Sequence, residues 1–169
     1  MLNPIGDADW PAEIEHMRDG FAGKLNVYRV MAHHPALLQA WENIRNHVVC
    51  HSKLTPQQSE IVILRTGHRH RSSYEWAHHV SRGLSAGLTR ERIDAVRTVP
   101  DAPEDKLLVT AVDALIDNGK IADPLATELQ RALGIPAMLD LIATVGMYTT
   151  LAFLIESFNI PIEPEVAQP

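Results

Sequence analysis

Three ionisable residues occupy positions where helical spacing makes them costly: Glu60, Glu75 and His79. An α-helix turns once in about 3.6 residues, so Ser72, Glu75, Trp76, His79, Gly83 and Ala86 fall on one stripe. Ala77, Val80 and Leu84 widen that stripe into an apolar face. Glu75 and His79, four apart, can touch. Glu60 repeats the pattern one helix earlier, on a stripe with Ile63, Leu64 and Gly67. A carboxylate or imidazole on a core face costs on the order of several kcal/mol unless it is paired or hydrogen-bonded. The chemistry such a group offers is acid–base. A carboxylate held against the imidazole sets its tautomer and is expected to raise its pKa, leaving His79 able to give or take a proton near neutral pH. The same geometry sends His78 to the opposite face with Arg71, Tyr74, Ser81, Arg82 and Ser85, toward solvent.

Glu60, then Ser72 twelve residues on, then Glu75 and His79, resembles the carboxymuconolactone decarboxylase and alkylhydroperoxidase D-like family. The redox branch of that family has a glutamate followed at the same distance by Cys-x-x-Cys-x-x-x-His. Here Ser72 and Glu75 stand at the cysteine positions, and the chain is closer to the decarboxylase branch, which also has Glu-x-x-x-His. Asn26-x-x-Arg29-x-Met31-Ala32-x-x-Pro35 and the turn Ala86-Gly87-Leu88-Thr89 also look familial. The resemblance covers roughly residues 25–160. It implies an all-α helical bundle of the alkylhydroperoxidase D-like type and, by the family's name, a cofactor-free lyase. In that reading a small carboxylated or lactone-like substrate loses CO₂, charge develops on a carbonyl oxygen, and a proton returns to carbon. Glu60, Glu75 and His79 would be catalytic. Arg65, Arg69 or Arg71 could hold a carboxylate bidentately, and Ser72 and Trp76 would complete the substrate site.

Other chemistries compete for the same residues. His68, His70, His78 and His79 lie close to Glu75 in sequence, and His-x-His and Glu-x-x-x-His are spacings that place ligands on one metal. The two faces assigned to His78 and His79, and the arginines around His68 and His70, argue against it. A peroxide-reducing oxidoreductase, the other activity attached to the family, needs paired thiols, and Cys50 is the only cysteine. At the apolar end of its helix, Cys50 is expected to be a buried small hydrophobe. A helical oligomer without catalysis, whose polar cluster only fixes register, is the remaining reading.

The elements that must position these groups are helices throughout. Thr55, Pro56 and Gln58 form a capping-box start for the first helix of the pair, which should weaken near Gly67. The second runs from about Ser72 to Ala86. Upstream, Pro11 opens a short helix ended by Gly20 and Gly23. A further short helix covers Leu25 to Ala32, and a longer one follows from Pro35 to about His51. Downstream come a short helix capped by Thr89, then Glu104 to Asn118, then Asp123 to Leu133. The last helix, Pro136 to Phe158, is apolar nearly all round. Its uncharged run, Leu141 to Ile155, is shorter than the ~20 residues that cross a bilayer.

With 169 residues, 46% hydrophobic and 21% charged, the composition suits one folded domain over residues 1–169, with an irregular arm at 1–10 and an irregular, mobile tail at 159–169. A net charge of −6 disfavours general nucleic-acid binding. The first residues lack the pattern of a secretory signal, so a cytoplasmic location is expected. A helix apolar on every side needs burial on every side, which points to a homo-oligomer joined through residues 136–158, with a small-molecule substrate and no membrane or nucleic-acid partner.

Overall fold

Proline places most of the helix starts. Pro35, Pro56, Pro103, Pro124 and Pro136 each occupy one of the first two positions of a helix, where no intrahelical N–H bond is lost and φ is already helical. The computed structural model describes residues 2–166. Met1 and residues 167–169, parts of the expected arm and tail, lie outside the described residues. Two 3₁₀ turns, Asp7–Asp9 and Ala12–Met17, precede α1 (Phe21–Lys24), α2 (Asn26–Met31) and α3 (Pro35–Asn46). A π-helical turn, His47–His51, ends α3. There follow α4 (Pro56–Arg69), α5 (Ser73–Ser85), α6 (Arg90–Ala95), α7 (Pro103–Asn118), α8 (Asp123–Leu133) and α9 (Ile135–Phe158). Among the described residues there is no strand, so the all-α bundle expected from the sequence is the observed fold.

The capping box forms as expected. The Gln58 N–H donates to Thr55 Oγ1 at 3.2 Å, and the Thr55 N–H donates to Gln58 Oε1 at 2.8 Å. Gly67 does not weaken α4, which continues to Arg69. Its role is spacing: a Cβ built there would lie 3.0 Å from Glu75 Cβ, closer than van der Waals contact allows. Glycine thus lets α5 fold back tightly onto α4.

α4 and α9 run through the middle of the molecule and share two apolar clusters. The C-terminal half of α9 (Met147, Tyr148, Leu151, Ile155) joins Trp10, Ile14, Tyr28, Leu38 and Tyr74. Its N-terminal half (Ala137, Leu141, Val145) joins Ile61, Val62, Leu64, Leu108, Val112 and Leu129. α9 is long and apolar enough to cross a bilayer by length and composition, yet half of its most apolar window is buried inside this chain. The burial is not complete on every side, because Leu139 and Phe153 remain more than half exposed.

Ion pairs lock the helices in register. Arg65 forks onto both oxygens of Asp113 at 2.8 and 2.7 Å and also donates to the Val96 and Thr98 carbonyls, while Arg69 bridges Asp113 and Asp117. Arg92 forks onto Asp105, joining α6 to α7. Asp140 accepts from the Lys53 N–H at 2.6 Å and from His47 at 2.7 Å, tying the start of α9 to the loop before α4.

The tail is irregular but not loose. After the left-handed turn at Asn159 (φ 51°), residues 160–163 pack back against α2 and α5, and Ile160 and Glu163 are buried.

Candidate active site

His79 stands between two carboxyl groups. Its Nδ1 donates to Glu60 Oε2 at 2.7 Å, and its Nε2 lies 3.5 Å from Glu75 Oε2. A carboxylate can only accept, so the contact with Glu60 puts the ring proton on Nδ1 and leaves Nε2 with its lone pair facing Glu75. Tyr148 of α9 packs edge-on against the ring, with centroids 5.1 Å apart at 87°. His79 and Glu75 are buried, and Glu60 keeps a partly open side chain. The three residues singled out by helical spacing therefore meet, brought together by the tight α4–α5 approach at Gly67.

Burial sets the protonation of this cluster. Loss of solvent pushes Glu75 up to about 8, further raised by Glu60 and Glu163 and opposed by Arg82. At neutral pH Glu75 is a neutral acid. Burial likewise pushes His79 below its ordinary value, and the hydrogen bond and charge of Glu60 do not offset it. This corrects the sequence expectation of a raised imidazole: desolvation of a fully enclosed ring outweighs one carboxylate neighbour. The resting arrangement is a neutral imidazole base facing a neutral carboxylic acid.

His78 does not join the cluster, as expected, but it does not face solvent either. It is buried and donates to Glu163 Oε2 at 2.6 Å. Tyr74 donates to Glu163 Oε1 at 2.6 Å, and the Asn26 N–H donates to the same oxygen. The amphipathic split of α5 is real, but α2 and the tail cover the face that the sequence alone leaves open. Those hydrogen bonds hold the Glu163 carboxyl below the usual range although burial works against it.

Between α2, α5 and α9 lies a small cavity of about 20 Å³, lined by Tyr28, Tyr74, Glu75, His78, His79, Arg82 and Tyr148 among others. Arg82 makes no hydrogen bond or ion pair among the described residues, although its charge acts on Glu75, His79 and Tyr148. Sequence reasoning passed over Arg82 because it falls on the stripe taken as solvent-facing. Its spacing from Glu75 and His79, seven and three residues, was the available signal.

The arginines chosen from the sequence go elsewhere. Arg65 and Arg69 are engaged by Asp113 and Asp117 on the α7 side of α4 and do not reach the cluster. Arg71, Ser72 and Trp76 come together, but around a second cavity at the start of α5. Ser72, at the first cysteine position of the redox branch, caps α5 through the Glu75 N–H at 3.5 Å. Cys50 is exposed rather than buried, because the π-helical turn carries it outward. His68 packs toward Trp76, whereas His70 shares a hydrogen bond with Thr149 and packs on Phe153. Among the described residues no three His, Cys, Asp or Glu side chains are placed to hold a metal ion.

The fold and the Glu-x-x-x-His cluster together define an all-helical protein of the alkylhydroperoxidase D-like class. Residues 35–117, from α3 through most of α7, match the carboxymuconolactone decarboxylase family. No curated protein matches it. Among solved structures, it is similar to an uncharacterized peroxidase-related protein from Ralstonia eutropha described as an alkylhydroperoxidase core. That match has 14% identity and a TM-score of 0.80, over 98% of this chain and 95% of that one. A peroxidase-related protein from Silicibacter aligns with 12% identity and TM-score 0.78 over 99% and 95% of the two chains. The debrominase Bmp8, solved with 2,3,4-tribromopyrrole, aligns with 13% identity and TM-score 0.76 over 98% and 93%. At such identities the likeness is one of fold.

Proposed function

We propose that this protein is a cofactor-free acid–base enzyme that protonates, and in the full reaction decarboxylates, a small carboxylated or lactone-like substrate. The observation that carries the reading is the Glu60–His79–Glu75 relay, in which burial keeps Glu75 protonated against an unprotonated imidazole nitrogen beside the unpaired Arg82. The match of residues 35–117 to the carboxymuconolactone decarboxylase family supports an enzyme of this kind by analogy.

In the proposed reaction Arg82 receives an anionic oxygen of the substrate. The bond to the departing carboxylate breaks, its electron pair moves toward the carbonyl oxygen as an enolate, and CO₂ leaves. Glu75 then delivers its proton to carbon. The resulting Glu75 carboxylate recovers a proton from water, with His79 Nε2 placed to take up and return that proton while Glu60 holds the ring. The cavity has room for about one water, so substrate entry requires its walls to move, and Glu163 of the tail holds two of the lining residues, Tyr74 and His78. We also propose that the exposed apolar residues of α9 meet a second copy of the chain.

The test is CO₂ release and deuterium incorporation from D₂O with a panel of small β-keto acids and carboxylated lactones. The wild type is expected to turn over at least one of them. His79→Gln should lose about 10²–10⁴ in rate, the usual contribution of a general acid–base group. Arg82→Met should raise KM more than it lowers kcat, and His78→Gln should stay within a few-fold of wild type. Equal activity of the two histidine variants would place the chemistry elsewhere.

A further inference from the structure

The second cavity, about 260 Å³, lies at the start of α5 and is lined by Gly67, His68, Arg71, Ser72, Ser73, Trp76 and Arg97. It shares no residue with the cavity at Glu75 and His79. Two of its seven lining residues are arginines, and none is acidic. Neither guanidinium is neutralised: among the described residues Arg71 makes no hydrogen bond or ion pair, and the Arg97 guanidinium lies over the Trp76 ring at 3.8 Å without a carboxylate. The contrast with the arginines of α4 is plain, since Arg65 and Arg69 are both saturated by aspartates.

Arg71 occupies its place against local preference. It has φ 58°, the left-handed position that closes a helix and usually takes glycine. The Ser72 N–H returns to the Gly67 carbonyl at 2.9 Å, completing that closure. The closure directs a long cationic side chain to the mouth of the cavity. Arg97 is fixed by stacking on Trp76, which offers it a π face rather than a counter-charge. In a chain of net charge −6, these paired cations form a local concentration of positive charge.

We propose that this pocket binds a small organic oxyanion, a carboxylate or a phosphate ester, held between the Arg71 and Arg97 guanidinium groups with Trp76 and His68 as its walls. Two planar forks facing one space match the paired oxygens of either group. The volume exceeds that of a bare ion and suits a body of ring size. The site is separate from the acid–base cluster, so its occupancy does not depend on the proposed reaction.

His68 is a built-in reporter. Burial and then the charges of Arg65, Arg97 and Arg69 hold its pKa below the ordinary value. An anion in the pocket must raise it, by the reciprocity of linked binding. The experiment uses the full chain at fixed ionic strength, titrated with inorganic phosphate, phenyl phosphate and benzoate, with calorimetry for affinity and the His68 ring resonances for location. At least one probe should bind saturably and shift the His68 titration upward. A preference for phenyl phosphate or for benzoate identifies the headgroup. Arg71→Gly, which keeps the left-handed turn, and Arg97→Met, which keeps contact with Trp76, should each weaken binding about tenfold or more. Arg90→Ala, at an exposed pair with Asp94, should change nothing. His79→Gln should bind the probes as the wild type does, even if it is inactive. Absence of saturable binding by all three probes, or binding unaffected by both pocket variants, would overturn the proposal.

Discussion

Glu75 departs far from ordinary carboxyl chemistry. Its carboxyl titrates near 8 rather than at the usual 4.5 because it is removed from water without a full cationic partner. The folded chain therefore holds a proton that the unfolded chain has released above 4.5. Stability is unaffected below that value, declines as pH rises between 4.5 and about 8, and is level above. Glu75→Gln removes the titration, so it should be more stable than wild type at alkaline pH, by roughly 5 kcal/mol, and about equal in mild acid. Urea midpoints across pH measure the difference; an unchanged midpoint at alkaline pH would show that Glu75 folds as the carboxylate. The same variant should lose activity, since an amide cannot deliver a proton. Stability and function thus pull in opposite directions at this one position. The position of Glu75 was legible from helical spacing. Its protonation was not, because desolvation depends on how many elements close over the group, and Tyr28 and Tyr148 come from distant parts of the chain.

At the scale of elements, the tail from Ile160 to Glu163 is held by what it satisfies. Glu163 accepts from Tyr74, His78 and the Asn26 backbone, and Asn26 Nδ2 donates to the Pro161 carbonyl at 2.9 Å. Glu163→Ala should cost roughly 2–4 kcal/mol, because it leaves a buried phenol and a buried imidazole without their acceptor. Glu163→Gln should recover part of that. A thermal melt of the three proteins decides it, and an alanine variant as stable as wild type would mean the tail is not anchored here. With its carboxyl held below the ordinary range, Glu163 stabilises the fold above that range, and its contribution fades as pH falls through it. Helix starts, by contrast, were readable almost to the residue: prolines and the Thr55–Gln58 box act within one turn, and no distant partner can revise them. The side taken by His78 was misread for the opposite reason. Periodicity divides a helix into faces without saying which of them another segment will cover, and the covering segment here has no periodicity of its own.

For the whole molecule, α9 carries four exposed large apolar residues, Ile135, Leu139, Ile142 and Phe153. Phe153 is 59% exposed and Leu139 57%. An apolar groove of about 330 Å³ beside Phe153 is lined by His70, Leu115, Ile142, Val145 and Thr149. A surface of this kind fits association between copies. Sedimentation at micromolar concentration should therefore give an oligomer, and Phe153→Glu should shift it to monomer while leaving the helical content unchanged. A monomeric wild type would remove the proposal. The walls around Glu75 carry a different consequence. Glu60, Glu75 and His79 lie inside the segment that matches the family, residues 35–117. Tyr28, Tyr148, Leu151 and Glu163, which enclose or tether the cavity, lie outside it. The proton-handling parts thus lie on one stretch of chain, and part of what encloses them lies on others. Grafting the region from α9 onward from a relative of the same fold should change which molecules are accepted while the pH dependence of turnover stays with the recipient.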